Sequence, residues 1–222
     1  MDADFAAQRV KMVDGQIRTV DVTSAPLLAA LLTVPRERFT PADVRDLAYI
    51  DEDIRVADGA HGPRYLMEPA SLARLIQLAQ VDTQDNVLDI GCATGYSAAV
   101  LSRLARSVVG LEADSALADV ARSVIPQLGY DNVEVVTGPM NAGYAAKAPY
   151  DVILIEGSVD EVPEALLVQL REGGRLVAVE GRGNAGIARL FLKTNGVATG
   201  RRAFNAAIKP LPGFERARAF EF

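Results

Sequence analysis

Short apolar runs alternate with amphipathic stretches along most of the chain, and each period predicts an element. Val87–Ile90, 107–111, 133–137, 150–155 and 175–179 read as strands. The run from Tyr150 to Ile155 is so continuously apolar that it reads as a strand buried on both faces. Between them lie helical patterns: one beginning near Tyr96 with Ala98, Leu101, Leu104 and Ala105 on one face, one over 115–128, and one over 163–170. Before residue 87 the chain predicts helices over 4–18, from Ala25-Pro26 through Leu32, and from Pro69 with Leu72, Leu75, Ile76 and Ala79 inward. Residues 39–66 carry Pro41, Gly59, Gly62 and Pro63 among many aspartates and read as irregular. At the other end, 196–208 and 214–222 read as two strands around Lys209-Pro-Leu-Pro-Gly213.

Strand and helix in alternation predict an α/β fold, a doubly wound and mainly parallel sheet with helices on both faces. The terminal pair adds an antiparallel C-terminal hairpin. Residues 1–80 form an N-terminal helical cap that belongs to the domain, and 81–222 its core. In such a sheet ligands bind at the carboxyl ends of the strands. That places Asp89, Glu112, the loop after Thr137 and the loop after Ile155 around one crevice.

Composition narrows the setting. With 222 residues, half of them hydrophobic and 23% charged, the chain suits one soluble domain. A net charge of −6 argues against nucleic acid as the partner. The first residues show no basic segment leading into an apolar core, and no apolar run approaches the roughly 20 residues a membrane span needs. The single cysteine, Cys92, forms no intrachain disulfide. A cytoplasmic protein without membrane or nucleic-acid partners is the expectation.

Chemistry gathers where the first core strand ends. Asp89 closes that strand, and Gly91, Ala93 and Gly95 follow at alternate positions before the helix at Tyr96. Bare backbone and free helix N–H groups let a ligand approach closely. About 20 residues on, Glu112 ends the next strand, placed to accept hydrogen bonds from both hydroxyls of a ribose. A dinucleotide fingerprint needs glycine where Tyr96 stands, which disfavours a nicotinamide-dependent oxidoreductase. The spacing Asp-x-Gly-x-(small)-x-Gly instead resembles motif I of S-adenosylmethionine (SAM) dependent methyltransferases, and with it their Rossmann-like fold.

Over nearly its whole length the chain resembles the protein-L-isoaspartate O-methyltransferase family. The matching blocks are Met12-Val-Asp-Gly-Gln-Ile17, Val34-Pro-Arg-Glu-Arg-Phe-Thr-Pro41, Ala48-Tyr49 with Asp51, Val87 to Tyr96, Leu128 to Val133, Ala148 to Ile153, Leu166 to Leu170 and Gly173 to Val177. The resemblance implies SAM as cofactor and, as substrate, proteins or peptides with isoaspartyl or D-aspartyl residues, whose carboxylate attacks the methyl on sulfonium. A carboxylate is already a nucleophile at neutral pH, so positioning and water exclusion suffice. By that resemblance Gly91, Ala93, Gly95 and Tyr96 line the methionine end of SAM, with Asp89 supporting the loop. Glu112 holds the ribose, Pro139 and Met140 flank the adenine, and Glu156 is a new polar contact or a solvated carboxylate. Arg64, Met67 and Glu68 occupy the substrate mouth, and His61 is a loop residue.

The chain also departs from the family. Gln-Thr-Ile-Ser-Gln-Pro becomes Arg64-Tyr-Leu-Met-Glu-Pro69, so the serine that contacts substrate falls on Met67, which donates no hydrogen bond. The middle glycine of motif I is Ala93, and Gly-Asp-Gly becomes Gly138-Pro-Met140. A second reading follows: a catalytically degenerate descendant with a binding or regulatory role.

Overall fold

The computed structural model describes residues 4–59 and 62–216, so His61 and the end of the strand expected over 214–222 lie outside the described residues. Six α-helices are described: α1 (Phe5–Met12), α2 (Ala25–Thr33), α3 (Pro69–Ala79), α4 (Tyr96–Ser102), α5 (Ser115–Gln127) and α6 (Glu164–Leu167). The strands are β1 (Ile54–Gly59), β2 (Gly62–Leu66), β3 (Asn86–Ile90), β4 (Ser107–Glu112), β5 (Val133–Thr137), β6 (Tyr150–Val159), β7 (Leu170–Glu180), β8 (Ile187–Thr194) and β9 (Val197–Asn205). Seven of them form one sheet in the order β5-β4-β3-β6-β7-β8-β9. Pairing is parallel from β5 to β7 and antiparallel from β7 to β9.

The apolar runs explain the layering. Alternate residues of a strand face opposite sides, so Val87, Val108, Val152, Leu154, Val177 and Val179 join one core, with residues of α2 to α5 and Met12 of α1. Leu88, Ile90, Leu111, Ile153, Ile155 and Leu176 join the other, with Met140, Leu166, Leu211 and Phe214. The second face is therefore covered by short helical turns and the C-terminal segment rather than by long helices. A cap fixes the start of α5: the Asp114 carboxylate accepts from Ala116 and Leu117 N–H at 2.9 and 3.2 Å, satisfying donors that a helix start leaves free.

Three expectations need correction. Residues 39–66 are not wholly irregular, because β1 and β2 pair as a separate antiparallel hairpin. Its glycines read as loop punctuation, which hid the short strands beside them. The C-terminal hairpin is shifted towards the N-terminus: β8 and β9 turn through Asn195 and Gly196, both at positive φ of 53° and 78°. An Asn-Gly pair is the strongest short hairpin signal, whereas Pro210 and Pro212 cannot donate within a ladder. Residues 209–211 instead cross the end of β6, where Ser158 N–H bonds Lys209 O and Leu211 N–H bonds Ser158 O, both at 2.9 Å. Finally, the helix expected over 163–170 is only α6, because Leu170 already pairs with Tyr150 as the start of β7.

Candidate active site

The strand order reverses between β3 and β6: the chain runs outward from β3 through β4 to β5, then returns to lay β6 on the other side. Ligands of open α/β sheets bind at such a switch point. Asp89 of β3 and Glu156 of β6 stand there.

Asp89 is fully buried. Its Oδ2 accepts a hydrogen bond from Ser97 Oγ at 2.7 Å, tying β3 to the first turn of α4. Glu156 stands beside Asp89 across the strand boundary, and among the described residues no hydrogen bond reaches Asp89 Oδ1 or Glu156 Oε1. Burial raises Asp89 to about 7, against the lowering effect of Ser97. Burial, then the charge of Asp89, pushes Glu156 well above the usual carboxylate range. Two neighbouring buried carboxyls cannot both ionise cheaply, so the pair holds one proton between them at neutral pH. Glu156 keeps some exposure as a residue, although its Oε1 is closed off from solvent. It is thus a largely enclosed group of the crevice floor rather than a solvated carboxylate.

An acid whose folded-state pKa is raised loses stability as pH climbs from its unfolded value, about 4, towards the folded one. The protein will therefore lose stability between pH 5 and 8, and Glu156→Gln, which removes one titrating partner, will lose less. Thermal midpoints at both pH values check this; equal losses in the two proteins would contradict the shared proton.

The glycine-bearing turn lies above this pair. Gly91 and Gly95 have φ of 84° and 98°, and Ala93 adopts a positive φ of 50° although it carries a Cβ. A left-handed alanine costs roughly 1 kcal/mol, which is the local effect of replacing the family's middle glycine. Gly95 is required by packing as well, since a Cβ there would stand 2.8 Å from Ile125 Cδ1. Tyr96 is buried, with its ring against Phe39 and beneath the Arg36 guanidinium. Cys92 is enclosed and its thiol pushed well above its ordinary value by burial, so it is an inert packing group.

Glu112, at the end of β4, is fully buried and saturated. Its Oε2 accepts Ala93 N–H at 2.9 Å and Arg64 Nη2 at 2.7 Å. Its Oε1 accepts Ala113 N–H at 2.9 Å, Asp114 N–H at 3.1 Å and Arg64 Nε at 3.3 Å. Arg64 Nη2 also reaches Gly91 O at 3.0 Å. Arg64, expected beside Met67 and Glu68 at the substrate mouth, lines a cavity with Met67 and Glu156 and also puts its guanidinium on Glu112. Its head lies in the cradle, bridging Glu112 and Gly91 O from β2.

The rest of the space is closed. A Cβ on Gly91 would lie 2.8 Å from Leu211 Cδ1, so Leu211 rests on the turn. Met140, buried, lines a cavity of about 10 Å³ with Arg64, Glu112, Ala113, Asp114 and Pro212. A second cavity, also about 10 Å³, lies between Asp53, Arg64, Tyr65, Met67, Glu156 and Lys209. Each has room for about one water, whereas a cofactor-sized ligand needs hundreds of Å³. The residues of the cradle, in this conformation, do not fit SAM. Wider hollows of about 390 and 510 Å³ exist, but they lie at the opposite end of the strands and between α2 and α3, away from these carboxylates.

On the substrate side, Met67 is buried in the core and Glu68 is tethered by Ser71 Oγ and by its own N–H to Asp53 at 3.0 Å. Pro139 precedes the short turn that buries Met140. The sequence did not single out Ser97, Leu211, Tyr65 or Lys209. Leu211 and Lys209 sit in the Lys209-Pro-Leu-Pro-Gly213 segment that reads from sequence as a turn. Lys209 Nζ lies 5.7 Å from the Tyr65 ring centre.

A sheet of this order, with a glycine turn after β3 and an acid ending β4, defines the class of Rossmann-like methyltransferases. The chain belongs to the protein-L-isoaspartate(D-aspartate) O-methyltransferase family, whose model matches residues 7–211. Enzymes of this family are SAM-dependent. A protein-L-isoaspartate O-methyltransferase of Koribacter versatilis is 39% identical over 78% of this chain and 76% of its own. One from Opitutus terrae is 36% identical over 85% of this chain and 80% of its own. A solved protein-L-isoaspartate O-methyltransferase structure, 28% identical, matches 93% of this chain and 67% of its own with a TM-score of 0.79. A Plasmodium falciparum structure in complex with S-adenosyl-L-homocysteine shares the fold, with a TM-score of 0.75, 18% identity and coverage of 96% of this chain and all of its own. Among the described residues no helix is long and apolar enough to cross a membrane.

Proposed function

We propose that this protein methylates the carboxylate at L-isoaspartyl and D-aspartyl sites of other proteins, with SAM as methyl donor. The family match over residues 7–211 carries the reading. The site's composition agrees with it: the substrate carboxylate is the nucleophile, and among the described residues no histidine or cysteine dyad stands at the switch point. The relatives bear the enzyme's name, and none of them supports the non-catalytic alternative.

For the residues, we infer that Gly91, Ala93, Gly95 and Tyr96 shape the methionine end of the cofactor site, over a floor made by Asp89 and Glu156. Glu112 is the ribose acceptor, with Pro139 and Met140 at the adenine. Met67 and Glu68 border the substrate. A cytoplasmic setting is also inferred, with proteins rather than nucleic acid or membrane as partners. A net charge of −6 and the single buried cysteine support it. Calorimetric titration with S-adenosylhomocysteine tests the cofactor assignment: micromolar binding is expected, and no heat at millimolar ligand would refute it.

A further inference from the structure

Between Glu180 and Glu215 the chain carries six cations, Arg182, Arg189, Lys193, Arg201, Arg202 and Lys209, and no acid. In a chain of net charge −6 this segment has the opposite sign, and most of it folds into the β8–β9 hairpin at the end of the sheet. Several of the cations are answered. Arg182 lies on Asp160, Arg189 on Glu180, and Lys193 Nζ on the carbonyls of Val168 and Leu170. Arg201 and Arg202, side by side in β9, are exposed and meet no carboxylate among the described residues. Arg202 Nη2 donates to Asn205 Oδ1 at 2.6 Å, a contact within the same strand.

β9 is also the last strand of the sheet, and among the described residues none pairs with its outer side. Along its nine residues, about 30 Å of backbone, alternate N–H and C=O groups therefore face outward unpaired. The register shows which way the arginines face: Arg201 stands opposite Leu190 and Arg202 opposite Arg189. Cross-strand neighbours share a face, so Arg201 lies with Leu190 on the α3 side of the sheet and Arg202 on the other. Beside Arg201 the edge opens into a cleft of about 320 Å³, lined also by Asp21, Arg74, Gln77, Gln80 and Phe204. The Arg74 guanidinium sits 3.8 Å from the centre of the Phe204 ring, and it too meets no carboxylate among the described residues. Two unanswered guanidiniums thus line the cleft against one acid, Asp21.

We propose that β9 is a docking edge for an acidic, extended segment of another protein, which adds to the sheet as a further strand. In strand addition the backbone supplies the hydrogen bonds and the side chains on each face supply the specificity. Because Arg201 and Arg202 are consecutive, the incoming strand needs two adjacent acids, one for each face. The acid on the α3 side enters the cleft that Arg201 shares with Arg74. A second copy of this chain is a poor occupant: two β9 strands paired about Arg201 would set arginine against arginine, and like charges directly opposite destabilise. A nucleic acid would answer the arginines but leave the backbone edge unpaired, so a peptide fits both features. The edge lies apart from the Asp89 crevice, and the proposal goes beyond the methyltransferase reading and stands without it.

The probe is a fluorescein-labelled peptide as long as β9, with two adjacent glutamates at its centre among valines and threonines. Its control is the same peptide with lysines for the glutamates. Fluorescence anisotropy will show the glutamate peptide bound about tenfold more tightly than the control, and added salt will narrow the difference. The double variant Arg201→Glu, Arg202→Glu changes two exposed side chains, so its urea midpoint will stay at the wild-type value, while its affinity for the glutamate peptide falls about tenfold or more. Hydrogen exchange on the wild-type protein will show amides of 197–205 slowed by the glutamate peptide, with those of β5, at the other edge of the sheet, unchanged. Equal affinity for the two peptides, or wild-type affinity in the folded double variant, would overturn the charge recognition. Unaltered exchange in β9 at saturating peptide would overturn the added strand. Displacement of the bound peptide by oligouridylate at a lower concentration than by unlabelled peptide would assign the edge to nucleic acid and overturn the proposal.

Discussion

Glu112→Ala will unfold at markedly lower denaturant than the wild-type protein, with a loss of about 3–5 kcal/mol. Breaking a buried pair by deleting one partner leaves the other charge uncompensated, and here that charge is Arg64, 6% exposed at its side chain. Three backbone donors, on Ala93, Ala113 and Asp114, lose their acceptor at the same time. Removing Arg64 as well will recover only part of the loss: the stranded cation is gone, but the three N–H groups stay unpaired. Chemical denaturation of the two single variants and the double variant forms the cycle that separates these effects. Strict additivity would contradict the ion pair as the coupled unit. Binding of S-adenosylhomocysteine will also weaken in Glu112→Ala by an order of magnitude or more, through loss of charge-assisted hydrogen bonds.

The second large effect lies at Arg36. This residue is fully buried. Nε donates to Ala48 O at 2.8 Å, Nη2 donates to Met67 O at 2.9 Å, and the guanidinium lies 4.8 Å from the Tyr96 ring centre. One side chain thus joins the N-terminal region, the segment entering α3 and the first residue of α4. Arg36→Ala removes two hydrogen bonds from a charged donor, about 1.5–3 kcal/mol each before desolvation is recovered, and a cation–π contact of about 2 kcal/mol. It leaves a cavity in exchange. Burial lowers the arginine's pKa, which is the opposing cost that the substitution relieves. The net loss will be about 3 kcal/mol or more, and Arg36→Lys will restore little of it, since an ammonium lacks the planar fork that spans both carbonyls. Urea midpoints measure both; a loss below about 1 kcal/mol in Arg36→Ala would remove Arg36 as the joint between cap and core.

Much of the fold was legible because its signals are local. The continuous apolar run at 150–155 announced a strand covered on both faces, and Pro69 announced a helix start. Alternation of the two periods then fixed the parallel sheet and the switch point at Asp89. The hairpin of β1 and β2 was not legible, because six- and five-residue strands separated by glycines carry too little periodicity. The C-terminal turn was misplaced because proline and glycine at 209–213 outweighed Asn195-Gly196, although prolines suit a crossing segment better than a ladder.

At the site, the type of each residue was legible and its partner was not. The sequence marks Glu112 as an acceptor. That Arg64, 48 positions earlier, saturates it depends on how β2 lies over the turn. Glu156 could be read as a solvated carboxylate, and only the pairing of β3 with β6 brings it against Asp89. Met67 was assigned to a family serine position, and burial in the core accounts for a methionine there.

The most direct measurement is transfer of labelled methyl from SAM to a peptide containing one L-isoaspartyl residue, beside the same peptide with ordinary aspartate. The functional assignment predicts label in the isoaspartyl peptide as a base-labile methyl ester and none above background in the control. Absence of label from the isoaspartyl peptide, in a protein shown to bind S-adenosylhomocysteine, would contradict it.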